Sequence, residues 1–239
     1  MLEQYAAAGL VQPWSGEYEN DFEKQIFMAI NLCRHDPKRF VPHVRAVYKD
    51  HVLLNKGAGK KMNDLIAKLQ SQAPLRPVRF DGQANDAVRQ NNLAVVAADE
   101  AAPKKGGNIA KYNQLVGSDK TSSCREFTMP QFEGSTGFEF VSLQLALDYE
   151  AFDAPKPEGA PKAKDAAAEP KANAMEEGSA PDKGQTEAKP AAKAPTAAPS
   201  YSPILDENIE LVGISNKAHK KTKNVIQVLY VKNEGNAMV

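Results

Sequence analysis

This chain of 239 residues has only two cysteines, Cys33 and Cys124, and one tryptophan, Trp14. So few cysteines exclude a disulfide-built scaffold, since one bridge at most could form. The chain also lacks net charge: 30 lysines and arginines balance 30 acids. Attraction of the whole protein to nucleic acid or to an anionic membrane is therefore not expected. It lacks long apolar runs as well. The longest, Leu93 to Ala98, is about six residues, far too short to span a bilayer. No basic region followed by an apolar run opens the chain, Glu3 is acidic, and no arginine precedes Arg34. Neither a secretory signal nor a mitochondrial transit peptide is visible. No Asn-x-Ser/Thr sequon occurs. These absences point to an intracellular, soluble, thiol-reducing setting.

What is present is unevenly spread. Apolar residues make up 42% of the chain, yet residues 154–199 carry only alanines and Met175 among them. This Ala/Pro/Lys/Glu-rich stretch has neither helical nor strand period and is expected to be disordered on its own. The flanking sequence is long enough for a sizeable core. Residues 1–19 have little periodicity and read as an N-terminal arm, with Trp14 as an anchor either on the domain or on a partner.

A first helix starts at Asn20 or Asp21, with Phe22, Ile26, Ala29, Ile30 and Cys33 forming one stripe. Cys33 thus reads as a small buried residue. Asp36-Pro37 restarts the chain as N-cap and first helical residue. Val41, Val44, Val47 and Tyr48 mark a second helix ending before Gly57, and Met62, Leu65, Ile66 and Leu69 a third. Residues 74–80 are extended by their prolines. A fourth helix is expected from about Gly82 to Asp99, an irregular region over 100–136, and a further helix across Phe140–Phe152. Two strands, 209–215 and 224–231, form an antiparallel hairpin joined by a basic loop at 217–223. Two strands alone are marginal, so they must pair with an earlier strand. The low-complexity stretch is therefore an insertion within one domain, with core segments at 20–153 and 200–233 and a tail at 234–239.

The order of several short motifs resembles that of the CAP superfamily (SCP domains: cysteine-rich secretory, antigen 5, pathogenesis-related). Ile30-Asn-Leu-Cys-Arg34 followed by Asp36-Pro-Lys-Arg-Phe40 resembles the family's opening helix with its Asn-x-x-Arg. Pro74-Leu-Arg-Pro-Val-Arg-Phe80-Asp81 is similar to its PPL-x-W-D segment. Gly117-Ser-Asp-Lys-Thr-Ser-Ser-Cys-Arg125 is similar to its Gly-Ser-Asp loop, and Gly137-Phe-Glu-Phe140 to its Gly-Glu-Asn. Ile204-Leu205 with Leu211-Val-Gly-Ile214 resembles the approach to its last strands. The resemblance covers most of 20–150 and 200–232. It implies an α+β fold, a CAP-like α-β-α sandwich with a small antiparallel sheet, here interrupted by the low-complexity insertion.

The departures carry the functional expectation. Family members often place two histidines and two acids around a cleft that can bind a divalent metal. The histidines would fall near Leu115-Val116 and near Ser200-Tyr201, and neither place has one. Glu139 matches the motif's acid, but Phe140 replaces its asparagine. One carboxylate without an imidazole cannot make a usual zinc site. The family site is expected to be degenerate at Glu139, with no catalytic, cofactor or metal residues. Glu139 itself reads as a structural acid bonded to backbone amides, or as a relic.

His43 and His51 are eight apart and do not share a helix face closely enough to chelate; with His35 they read as surface or boundary residues. Cys124 lies in a polar loop with no histidine assigned to it. The expected function is a non-catalytic structural or scaffold subunit of a larger intracellular protein assembly. Many protist and bacterial members of the family follow the opening helix with a proline and an aromatic, as Pro37 and Phe40 do here, and a cytoplasmic setting, cytoskeletal or ciliary, fits that resemblance. Trp14, His219, Lys220, Lys221 and Lys223 are the partner-binding candidates, against the plain reading of the basic loop as solvated. The alternative is a binder of small apolar ligands, sterol or fatty acid, in a groove bordered by Leu115, Val116, Phe127 and Phe132. No nucleic acid and no membrane span are expected.

Overall fold

A computed structural model describes residues 1–51, 54, 59–100, 104–151 and 201–232. The insertion 154–199 and the tail 234–239 lie outside the described residues. Seven helices are described: α1 (Leu2–Ala7), α2 (Asp21–His35), α3 (Val41–Asp50), α4 (Gly59–Ser71), α5 (Gly82–Ala97), α6 (Gly107–Val116) and α7 (Gly137–Ala151). Four strands accompany them: β1 (Arg79–Phe80), β2 (Cys124–Pro130), β3 (Ile209–His219) and β4 (Lys223–Lys232). The described residues up to 151 and from 201 to 232 form one compact unit.

The architecture is α+β with one four-stranded sheet of order β1-β3-β4-β2. The sheet is mixed, not antiparallel as expected. β4 pairs antiparallel with both β3 and β2, but β1 lies parallel to β3. Two residues of β1 are too few to show their direction by pattern. The hairpin does take up earlier strands, one on each side.

Alternation along β4 places helices on both faces. Ile226, Val228 and Tyr230 join the main core with α2, α3, α4 and α7, while Leu229 and Val231 pack with Ala84, Ala87 and Val88 of α5 and Tyr112 of α6. Strands buried on both sides explain the near-continuous apolar run from Val225 to Val231, interrupted only by Gln227.

Asn20 is the N-cap of α2, its side chain accepting from the Glu23 amide at 3.0 Å. Asp36-Pro37 opens a short 3-10 turn, Pro37–Phe40, before α3 begins. Three further expectations change. First, residues 1–19, read as having little periodicity, contain the helix α1, whose Tyr5 is buried in the main core. Second, region 100–136 holds α6 and β2. Its glycines terminate elements instead of dissolving them: Gly106 and Gly117, at φ +84° and +68°, bracket α6 in the left-handed conformation that glycine adopts without strain. Third, the basic loop shrinks to Lys220–Thr222, since β3 runs through His219 and β4 starts at Lys223.

Candidate functional site

The Asn-x-x-Arg pair on α2 is a clamp on the backbone. Asn31 and Arg34 are one turn apart and so face the same way. Asn31 Nδ2 donates to the Val78 carbonyl at 3.1 Å and its Oδ1 accepts from the Val78 amide at 2.7 Å. Arg34 is fully buried and donates to four carbonyls: Arg76 at 2.7 Å, Ile204 and Asp206 at 2.9 Å each, and Ile209 at 3.0 Å. Burial pulls the guanidinium pKa down, but an arginine stays charged in proteins. Four carbonyl dipoles take the place of its water. The pair therefore ties the extended segment 74–80 to the residues that lead into β3.

Glu139 is a structural acid, one of the two readings of the sequence. Its Oε2 accepts from the amides of Ser135 at 2.7 Å and Thr136 at 3.0 Å, while Thr136 Oγ1 accepts from the Glu139 amide at 3.2 Å. This is a capping box at the start of α7. Burial pushes the carboxyl pKa up, but the amides outweigh it and hold it below the usual carboxylate range. Phe140, where the motif has asparagine, is buried edge-on against Phe127 and Phe132.

Glu139 also borders a cleft of about 680 Å³ between α3, the end of β2 with the loop that follows it, and α7. Its apolar wall includes Val47, Met129, Phe132, Leu143 and Leu147; its polar groups include His43, Asp50, His51, Glu133 and Glu139. His43 stacks on Phe138 with ring centroids 4.9 Å apart, and burial lowers its pKa. The two histidines thus share a cleft. Among the described residues no group of three or more His, Cys, Asp or Glu is placed to hold a metal. Of the groove residues expected from sequence, only Phe132 lines this cleft. Leu115 is 37% exposed on α6, and Val116 and Phe127 lie outside the cleft lining.

The partner-binding candidates divide. Trp14 is 73% exposed and nearby Val11 is 89% exposed. The indole lies over Gly16, where a Cβ would meet the ring within 2.6 Å. Lys220, Lys221 and Lys223 are exposed, but Lys221 pairs with Asp99 at 2.7 Å and Lys223 with Glu133 at 3.0 Å. His219 is not a surface residue at all. It is buried, and its Nδ1 accepts from the amides of Lys221 and Thr222 at 3.2 Å each, closing the β3–β4 turn. Cys124 is likewise buried, at the start of β2, and not in a polar loop. Neither cysteine forms a disulfide.

Sequence reading missed Asp148, near the end of α7. It accepts from Ser202 Oγ at 2.6 Å and, at 3.5 Å, from Gln144. Burial raises its pKa to about 7 against those two bonds. An acid in a mostly apolar helix was its only signal. No helix among the described residues is long and apolar enough to cross a membrane. The chain matches no known family, no curated protein and no solved structure.

Proposed function

We propose that this chain is a non-catalytic binding domain, CAP-like in fold, that serves as a subunit of a larger protein assembly in the cytoplasm. The observation that carries the reading is Trp14. Tyr5 buries α1 in the core, so the segment after it is held to the domain and still leaves the chain's one indole and Val11 in solvent. Tryptophan is enriched where proteins meet and contributes most when a partner covers it. The CAP-like reading draws support from the Asn31–Arg34 clamp and from helices on both sheet faces. The non-catalytic reading rests on the missing histidines at Leu115-Val116 and Ser200-Tyr201. A cytoskeletal or ciliary structure is the assembly that the resemblance suggests.

Gradient sedimentation of a gentle lysate, at low and high salt, tests this. The endogenous protein should travel in a large, salt-resistant particle, and Trp14→Ala should release it with the fold intact. A wild-type protein that sediments as a monomer of 26.0 kDa ends the assembly reading. The cleft beside α3 and α7 favours a second reading, a carrier of small apolar molecules. Its volume of about 680 Å³ suits such a ligand.

A further inference from the structure

We propose that the cleft between α3, the end of β2 and α7 takes an amphipathic amine: an apolar body with a cationic head, in place of a fatty acid or a sterol. This rests on the carrier reading and adds a charge preference to it. The apolar wall of Val47, Met129, Phe132, Leu143 and Leu147 accounts for the body. The head follows from the ionisable groups. Asp50, Glu133 and Glu139 line the cleft, and among the described residues its lining includes no lysine or arginine.

The electrostatics run one way. Glu139 is held ionised by the amides of Ser135 and Thr136. His43 is held neutral by burial and adds no opposing charge. Lys223 does pair with Glu133, but both side chains are mostly exposed, and such a pair is weak. A carboxylate head would meet two or three like charges at this rim, whereas an ammonium would replace hydration with ion pairing.

Calorimetric titration of the full chain with dodecylammonium, dodecanol and dodecanoate, each below its micelle concentration, separates the terms. Dodecylammonium should bind at least about tenfold more tightly than dodecanoate, with dodecanol between them. The double variant D50N/E133Q should weaken dodecylammonium about three- to fivefold and leave dodecanol unchanged. Ala46 is exposed and lines the cleft, so Ala46→Trp should fill it without disturbing the core and remove binding of all three. Dodecanoate binding as well as dodecylammonium would overturn the amine preference and leave the carrier reading standing. No binding by any of the three removes both. Binding untouched by Ala46→Trp places the ligand elsewhere and overturns the proposal.

Discussion

Ser202 donates its hydroxyl to the Asp148 carboxylate at 2.6 Å, and beside that bond the rings of Tyr149 and Tyr201 meet edge to face, with centroids 4.9 Å apart. These contacts join the end of α7 to the residues where the chain resumes after 154–199. The points of departure and return are fastened together by the domain itself.

Deleting 154–199 should therefore leave the fold intact. Bridging the gap with about eight Gly/Ser residues shortens the loop that folding must close, which should raise the unfolding free energy by about 1–2 kcal/mol. Urea unfolding of the shortened chain checks this. A broad, non-cooperative transition would show that the insertion is part of the core.

Asp148 should make stability fall as pH rises. Its carboxyl pKa is raised by burial to about 7 in the folded chain, above the 3.8 of a free aspartate. The folded state thus holds a proton that the unfolded state releases. Its contribution is complete below about pH 4 and is lost as pH climbs through about 7. At about 1.4 kcal/mol per pKa unit this amounts to a few kcal/mol at most. Asp148→Asn should flatten the stability profile between pH 4 and 7 and exceed the wild type at pH 8. A wild-type profile already flat across that window contradicts the assignment.

Removing Arg34 should be among the most damaging single changes. Arg34→Met would take the guanidinium from four carbonyls, of which the Asp206 carbonyl keeps the Ile209 amide as a donor, and each lost bond costs on the order of 1 kcal/mol. The loss should reach about 3 kcal/mol, and Arg34→Lys should recover only part of it, since an ammonium has three donors and no fork. Thermal and urea unfolding of both variants, with wild type alongside, measure this. A loss under about 1 kcal/mol would mean that water replaces the guanidinium.

The capping box at α7 predicts a graded response. Glu139→Ala and Thr136→Ala should each cost about 1 kcal/mol. Glu139→Gln should cost under about 0.5 kcal/mol, because an amide oxygen can also accept. The Glu139 carboxyl sits below the usual carboxylate range when folded. Its contribution is therefore present above that range and lost as pH falls through the lowered value, and Glu139→Gln should remove this acid-side loss. Equal effects of the alanine and glutamine variants would argue for a charge role in place of capping.

Much of the frame was legible because period and punctuation are local. The Ile26–Cys33 stripe, a cap at Asn20 or Asp21 and the alternating hairpin each appear within one turn or a few residues. The direction of β1 was not legible, since two residues cannot show a partner's orientation. Region 100–136, expected to be irregular, holds α6 between Gly106 and Gly117, because a glycine with positive φ is how a helix commonly ends. His219 was placed with its lysine neighbours by charge, while the structure uses its imidazole as an acceptor inside the turn. The cleft is assembled from α3, β2 and α7, which lie far apart in sequence. No local pattern could announce that His43, Asp50, Glu133 and Glu139 share it.

The order of the sheet bears on how this protein comes into being. Its middle strands, β3 and β4, are the last of the four to leave the ribosome, and the two edge strands wait for them. A nascent chain stalled before Ile209 owns both rims of a sheet and no centre, and its Arg34 faces a gap where the Ile209 carbonyl belongs. Premature stops upstream of β3 should therefore yield no partial domain, only substrate for proteolysis. The long alanine- and proline-rich stretch must also be synthesised before β3 and β4, which lengthens the wait of the first half for its central strands.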